Sequence, residues 1–547
     1  MRRKTSVQLF LWALVLVFLM LLLACKTSDG NREGDEAAHD TPRWIQAVNL
    51  PWDSYGTTFG IAPWGYLGLA SQGPSGWRCE TKPGFQGCQK LFWDQNRLGV
   101  NVKLRARDEN FAHALTFFWF DEMASLGKGE FLDLAGKTVT CNVYFQPSAG
   151  GLSKTPNGAV LFLQDEKWNW LESDWWNIEG GGSKQLSLTL DHTGDFDATK
   201  VRAVGVKVST NEKAPASYSY EGDFYIENVT IPAMEPVTFT FDTAETRTEN
   251  ELRDIAGLGA KALRLWVFAD GRSGLVFDGD GNVVGLDDKF LADFDEAVRV
   301  AASSDLRLVP VLFDFLLGAE TKIEHDAVTG AEYPLFGRAD LIIDPQKRRS
   351  LMENAIKPLF ERFGASEEII AWELMNEPCW LLSNNENHVV IPDGKRPSEI
   401  KEGGAVTFAQ MHAFFAAIIA QYPSDRGGYD HVFTIGSASH RWVDQWSDLK
   451  LGIAQFHLWN GTGQIDEGLS LPEIGKPTTD LPVVVGEFDG REQCREVLDD
   501  ALALGYAGAW PWAYRSKDAY SLPTLGDNCR EAMRSFAVEH SDILNFE

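Results

Sequence analysis

Residues 370–378 read Ile-Ala-Trp-Glu-Leu-Met-Asn-Glu-Pro, an apolar run that closes on Asn376-Glu377-Pro378. Far downstream, residues 481–488 read Leu-Pro-Val-Val-Val-Gly-Glu-Phe, a second apolar run that ends in a carboxylate, Glu487. Short apolar runs rich in β-branched residues and bounded by turn signals suit buried strands. A lone Asn-Glu-Pro is by itself only a strand end and a turn, since proline punctuates. The second run with its own terminal glutamate makes that bland reading insufficient. Parallel barrels build their sites at the C-terminal ends of the strands, so two such glutamates are placed to share one ligand.

The surrounding rhythm agrees. From about Ala244 the spacing predicts strands at 262–268, 307–313, 369–375, 431–435, 452–458, 483–487 and 507–511. They alternate with helices at 249–258, 288–302, 346–363, 406–421, 492–504 and 527–540. Seven strands in βα order are one short of a closed (β/α)8 TIM barrel. Val237–Phe241 could supply the missing first strand. Trp44–Leu50, running into Pro51-Trp52-Asp-Ser-Tyr-Gly56, is preferred. With either choice Glu377 ends strand four and Glu487 ends strand seven.

Between these parts the texture is all-β. Runs such as 138–145, 159–163, 201–208 and 224–231 alternate with Gly, Ser and Asp turns, which suggests a sandwich. The run 224–231 looks like the closing strand of the jelly-roll modules appended to polysaccharide-degrading enzymes. Trp168, Trp170, Trp175 and Trp176 cluster in its middle, either as core or as platforms for sugar. The expected division is 1–24 signal segment, 25–43 flexible linker, 44–71 first barrel strand and loop, 72–233 β-sandwich insertion, and 234–547 the rest of the barrel.

The net charge of -28 disfavours nucleic acid and anionic surfaces as partners and suits a neutral polymer. The 19 Trp and 33 Phe are a heavy aromatic load, much of it core, with exposed platforms expected among them because aromatic faces stack on the apolar faces of sugars. At the N-terminus Arg2, Arg3 and Lys4 precede an apolar stretch from Val7 to Leu23, ending Leu22-Leu23-Ala24-Cys25. Charged, apolar, then small is signal-peptide order; an uncleaved membrane anchor is the alternative. Export permits disulfides. Cys79 with Cys88, and Cys494 with Cys529, are the expected pairs, with Cys141 and Cys379 free. No Cys/His spacing suggests zinc. Asp278-Gly-Asp-Gly-Asn282 starts like a calcium loop, but its sixth residue is Val283 and its twelfth Lys289, so a β-turn is expected there. No cofactor or metal is implied.

These residues carry a resemblance to glycoside hydrolase family 5 and its wider clan of retaining barrel glycosidases. The resemblance implies Glu377 as acid/base and Glu487 as nucleophile, a pair such enzymes hold about 5–5.5 Å apart. It implies that Asn376 holds the sugar 2-hydroxyl, and that Arg264, in Leu263-Arg-Leu-Trp266, contacts the nucleophile. His457 resembles the strand-six histidine, and Trp512 the strand-eight tryptophan that floors the reacting subsite. One position departs: the clan usually has a tyrosine bonded to the nucleophile near the end of strand six, where this chain offers Trp459. Asp314, His440 and Trp442 are further candidates for the cleft. The segments 49–56 and 269–272 look like a cellulase- or mannanase-like branch.

The implied activity is retaining hydrolysis of a β-1,4-linked mannan or glucan. The alternatives are an exo-acting β-glycosidase of the same clan and a non-catalytic carbohydrate-binding lipoprotein. The ending at Cys25 resembles the bacterial lipobox, which implies lipidation of Cys25. The implied location is outside the cytoplasm, tethered to a membrane at the cell surface or in the periplasm, or secreted, and a monomer is expected.

Overall fold

The computed structural model describes residues 44–544, apart from 52–54, 64, 67, 81–86, 106–112, 121–130, 147–157, 179–180, 192–193, 210–218, 233–235, 242–244, 326–331, 384–390, 392–394, 402, 424–431, 462–463, 492 and 516–522. The N-terminal apolar stretch, Cys25 and the polar spacer lie outside the described residues. Among the described residues no helix is long and apolar enough to cross a membrane.

Eight parallel strands follow one another in chain order around one sheet. They are β1 (Ala47–Asn49), β2 (Ala262–Trp266), β3 (Arg307–Asp314), β4 (Ala371–Asn376), β5 (Val432–Ser437), β6 (Ala454–Leu458), β7 (Val483–Asp489) and β8 (Gly508–Trp512). The Ile45 amide donates to the Ala507 carbonyl (2.7 Å) and the Tyr514 amide to the Asn49 carbonyl (2.8 Å), which joins the first strand to the last. The indole of Trp510 adds a bond to the Ile45 carbonyl (3.0 Å). This is a (β/α)8 barrel. Its strands are buried over nearly all their described residues, β4 at every one, as expected of parallel strands covered on both faces.

Helices close the outside by amphipathic spacing. In Phe290–Ser303 the buried residues are Phe290, Asp293, Phe294, Ala297, Val300 and Ala301, one stripe at helical period. The helix expected at 346–363 is interrupted. Pro345–Leu351 and Lys357–Phe363 are α-helical, and one π turn, Met352–Ile356, lies between them. Pro358 has no amide to donate and its ring crowds the preceding turn. The chain widens there, and the Lys357 amide reaches Met352 instead.

Two antiparallel six-stranded sheets lie between β1 and the first barrel helix, Arg247–Gly257. They share one apolar core. Its central tryptophan is Trp77, fully buried against Phe118, Phe239 and Phe241. The four clustered tryptophans are not that core. Trp170 stacks on Phe162 at 4.4 Å and Trp168 lies under the Arg202 guanidinium at 3.9 Å. Trp176 packs at the core's edge and Trp175 is 40% exposed. The segment Pro236–Thr240 pairs antiparallel with Ser219–Pro232. The strand that might have opened the barrel thus pairs within the antiparallel sheet instead. The two ends of the unit return side by side: Ser75 bonds to Glu245 (3.1 Å) and Thr248 to Gln72 (2.7 Å).

Both expected disulfides are present, with Cα separations of 6.0 Å for Cys79–Cys88 and 5.1 Å for Cys494–Cys529. Cys141 and Cys379 are unpaired and buried. Asp278 accepts from the amides of Asp280 and Asn282 and from the Asn282 side chain, so its carboxylate is used within a hairpin turn.

Strand register sets the site. Parallel pairing places Asn49 beside Arg264, Asp314 beside Asn376, Asn376 beside Gly436, and His457 beside Glu487. The barrel mouth therefore carries polar side chains from six of its strands, with Gly436 leaving space on β5.

Candidate active site

Arg264 sits in the middle of β2 and is fully buried. A guanidinium has five N–H donors and no acceptor, and here all five are used. Nε and Nη2 grip the two oxygens of Glu373 at 2.6 and 2.5 Å. Nη2 also reaches Asn376 Oδ1 (2.9 Å), and Nη1 donates to Asn49 Oδ1 (2.9 Å) and to Glu487 Oε1 (2.5 Å). Burial alone would make the guanidinium easier to deprotonate, but the Glu373 and Glu487 carboxylates outweigh it and hold Arg264 charged. Taking one partner from a buried ion cluster costs roughly 3–5 kcal/mol. Arg264→Met leaves Glu373 and Glu487 buried without their cation and should lose stability of about that size in urea unfolding. An unchanged unfolding midpoint would show that the cluster contributes nothing.

Glu377 follows β4 directly, and its backbone is left-handed, with φ 47°. A non-glycine residue held there costs on the order of 1–3 kcal/mol and needs surroundings that enforce it. The Glu377 amide bonds to Gly436 (2.6 Å), and the turn Pro378–Leu381 starts at once. This conformation turns the carboxyl into the barrel mouth. Its Oε1 lies 2.7 Å from His457 Nδ1, and its Oε2 accepts from the Trp380 indole (2.7 Å). Burial raises the Glu377 carboxyl to about 7, against the pull of the Trp380 bond and of Arg264.

Glu487 lies on β7 in a different setting. Oε1 takes the Arg264 bond, and Oε2 takes the indole N–H of Trp459 (3.2 Å) with His457 Nδ1 at 3.5 Å. Burial pushes this carboxyl up as well, while His457 and Arg264 favour its anion. The imidazole of His457 is lowered by burial to about 4, so it is neutral near pH 7. Its Nε2 is buried without a partner. That suits a tautomer with the proton on Nδ1, because a bare acceptor is the cheaper atom to leave unbonded. One oxygen of Glu377, one of Glu487 and a nitrogen of His457 all lie within 4.8 Å of one another.

Asn376 is oriented from both ends. Its carbonyl oxygen faces Arg264, and its amide nitrogen donates to Asp314 Oδ2 (2.9 Å). Asp314 also accepts from the Trp266 indole (3.1 Å) and the Leu316 amide (2.9 Å). Burial lifts its carboxyl to about 6. The cleft above holds about 290 Å³ and is lined by both glutamates, Asn376, Asp314 and the rings of Tyr55, Trp266, Trp380, Trp459 and Trp512. Trp512 meets Trp266 edge-on at 5.4 Å, and the Trp512–Ala513 peptide is cis.

The structure thus brings Arg264, Asn376, Glu377, His457, Trp459, Glu487 and Trp512 to one cleft or to the groups that line it. Trp459 makes the bond to Glu487 that the resemblance gave to a tyrosine, since an indole N–H serves where a phenol O–H would. His440 and Trp442 do not line the cleft. His440 turns to Asp466 (3.4 Å), and Trp442 is buried in a 3-10 turn. Glu373, Tyr55 and Trp380 were missed. Glu373 had a signal, because a carboxylate inside a fully buried strand requires a cationic partner. Trp380 had none, since its position depends on the turn after Glu377. Gly436 also acts through space. A Cβ there would meet Glu373 Oε1 at 2.3 Å and Arg264 Nη2 at 2.9 Å.

No family model matches the chain. It is 25% identical over 138 residues to a mannan endo-1,4-beta-mannosidase of Mytilus edulis, covering 25% of this chain and 34% of that protein. It is 24% identical over 306 residues to a mannan endo-1,4-beta-mannosidase of Cryptopygus antarcticus, covering 50% of this chain and 76% of that protein. The chain therefore spans about a third of the first relative's length and three quarters of the second's. Among solved structures, the beta-mannanase of the blue mussel Mytilus edulis aligns with a TM-score of 0.40 at 19% identity, over 55% of this chain and 86% of that one. An endo-1,4-beta-mannanase from Eisenia fetida aligns with a TM-score of 0.41 at 22% identity, over 52% and 82%. In its sequence relatives, as in its motifs, the chain is similar to the glycoside hydrolase family 5 mannanases.

Proposed function

We propose that this chain is a retaining glycoside hydrolase that cleaves β-1,4-linked mannan within the polymer. The observation that carries the reading is a pair of buried carboxyls in unlike settings, with oxygens within 4.8 Å. So close an approach of one oxygen of each favours the short carboxyl separation of retaining enzymes, roughly 5–5.5 Å, over the wider one of inverting enzymes. Glu377, raised by burial, is the acid that protonates the leaving oxygen. Glu487, bonded to Arg264, attacks the anomeric carbon and forms the glycosyl ester. Water then releases the sugar as Glu377, now ionised, takes its proton. Asn376 is held to meet a sugar hydroxyl, and Trp512 and Trp459 offer ring faces.

Reducing-end release from mannan, cellulose and xylan tests the reading. Internal cleavage of mannan into a ladder of oligosaccharides is expected. A single small product from chain ends would make the enzyme exo-acting, and no release from any polymer would leave a binding protein. The pH profile follows from Glu377. Its folded pKa of about 7 lies above the ordinary value, so the acid form is present below that pH and lost as pH rises through it. The basic limb of kcat/KM should therefore fall near pH 7. An aryl glycoside with a strongly activated leaving group should lack that limb, because it needs no acid.

The antiparallel unit fits a jelly-roll-like carbohydrate-binding role. The partly exposed Trp168, Trp170 and Trp175 support it, and slower migration of the full chain in gels cast with mannan would test it. The N-terminal stretch fits a lipoprotein signal with Cys25 lipidated, which would tether a monomeric enzyme to a membrane outside the cytoplasm. Mass spectrometry of the membrane-extracted protein should then find an acylated N-terminal cysteine; an unmodified Met1 would argue against it.

A further inference from the structure

Glu373 touches neither the cleft nor any reacting atom, yet it is the strongest partner Arg264 has. It takes two of the five guanidinium bonds. It is held in turn by the Gln455 amide, which donates to Oε2 at 2.9 Å. Gln455 is itself fixed, with Thr434 donating to its Oε1 at 3.4 Å. Glu373, Arg264 and Gln455 are all buried. Gly436 has no side chain where a Cβ would strike Glu373 and Arg264, and Gly486 has none where one would strike Gln455.

Counting charge through the proposed reaction gives this pair a purpose. In the resting site Arg264 faces two carboxylates, Glu373 and Glu487. When a Glu487 oxygen bonds to the anomeric carbon, the bond from that carbon to the leaving oxygen breaks and the leaving oxygen takes the Glu377 proton. Glu487 is then a neutral ester. Without Glu373, a fully buried guanidinium would then have no carboxylate bonded to it, since the Glu377 anion left by proton transfer makes no bond to Arg264, and a buried charge without a bonded partner is among the costliest things a protein can hold. With Glu373, the guanidinium stays paired throughout. The second carboxylate also shares the Arg264 charge in the resting site, so the Glu487 anion is less stabilised and a better nucleophile.

Resting on the glycosidase reading, we propose that Glu373 is a positioning residue for the covalent step: it anchors Arg264 and supplies its counter-charge while Glu487 is esterified. The titratable groups that face the cluster are Arg264, Glu487, Glu377 and His457; Glu487 is esterified and Glu377 gives up its proton in the cycle, whereas Glu373 makes no bond to a reacting atom.

The test is the rate of covalent labelling of Glu487 by 2,4-dinitrophenyl 2-deoxy-2-fluoro-β-mannobioside, read as mass gain of the intact protein against pH. This probe needs no acid, so it isolates the nucleophile. Glu373→Gln removes the charge and keeps the shape. Its plateau labelling rate should fall about 10- to 100-fold, and the acid limb should move down by about one pH unit, because the Glu487 anion is then stabilised more strongly. Glu373→Asp keeps the charge but is too short to hold both guanidinium nitrogens. It should label more slowly with its acid limb unmoved. Labelling of Glu373→Gln at the parent rate with an unmoved limb would overturn the proposal, whatever its unfolding midpoint. Should Glu373→Gln not fold, labelling of Glu373→Asp at the parent rate would overturn it equally. A parent protein that takes no label on Glu487 would instead sink the glycosidase reading on which this rests.

Discussion

Glu487→Gln should lose on the order of 10³-fold or more in turnover of mannan while keeping its fold, since covalent catalysis needs the carboxylate itself. The substitution is close to isosteric. Its carbonyl oxygen can still accept from Arg264, while its amide nitrogen cannot accept from the Trp459 indole, so the site gives up one bond and keeps the one that fixes the side chain to the cluster. It also removes one of two anions around a single guanidinium. The Arg264–Glu373 pair remains, and no buried charge is orphaned. Loss of turnover with an unmoved unfolding midpoint would therefore locate the effect in the chemistry. Near-parent turnover in Glu487→Gln would remove Glu487 from the reaction and leave Glu377 without its partner.

The second large effect belongs to Glu377→Ala. General acid catalysis contributes typically 10²–10⁴-fold, and hydrolysis of polymer, with its poor leaving group, should fall by about that amount. The loss should depend on the leaving group. Dinitrophenyl glycosides should still form the glycosyl ester at Glu487, because they depart without a proton. Water then attacks slowly without its base, and the ester should accumulate. Azide is small, anionic and needs no base, so it should restore release and yield a glycosyl azide with retained configuration. Equal losses on polymer and on the activated substrate, with no azide product, would mean that Glu377 is not the acid/base. Its removal would then act through His457 and Trp380, which bond to its two oxygens.

These experiments separate two glutamates that are chemically identical and share one cleft. What separates them physically is their neighbours. Glu377 is raised to about 7 by burial and has no cation bonded to it, so its proton is retained below that pH. Glu487 is pushed up by burial as well, but it is bonded to a guanidinium that favours its anion. The lone sequence Asn-Glu-Pro gives no hint of that difference, because it lies in bonds made across strands.

Much of the architecture was nonetheless legible in the chain. Buried parallel strands read as continuous apolar runs and helices read at their own period, so the alternation after Ala244 marked barrel strands directly. The short run around Ala47–Asn49 was legible for the same reason, being apolar and ending at a turn. The Cys79–Cys88 pair was suggested by the loop between its cysteines, whereas Cys494 and Cys529 were only candidate neighbours until the fold brought them together. Helix breaks and strand ends were less legible. The π turn at Met352–Ile356 arises from one proline inside an otherwise good helical pattern. Pro236–Thr240 reads as a strand in either sheet, and only its hydrogen-bond partner, Ser219–Pro232, assigns it.

By itself, then, the sequence determined which segments are buried strands and that Glu377 and Glu487 stand at the ends of two of them, because burial and periodicity are properties of a local stretch. Only the tertiary structure decided that Arg264 spends two bonds on Glu373, that Trp459 reaches Glu487 and that His440 turns away to Asp466. Those pairings depend on strand register and on where each side chain points once the sheet has curled. They also depend on the requirement that every buried charge and N–H find a partner, which is met between residues far apart in the chain and leaves no pattern along it.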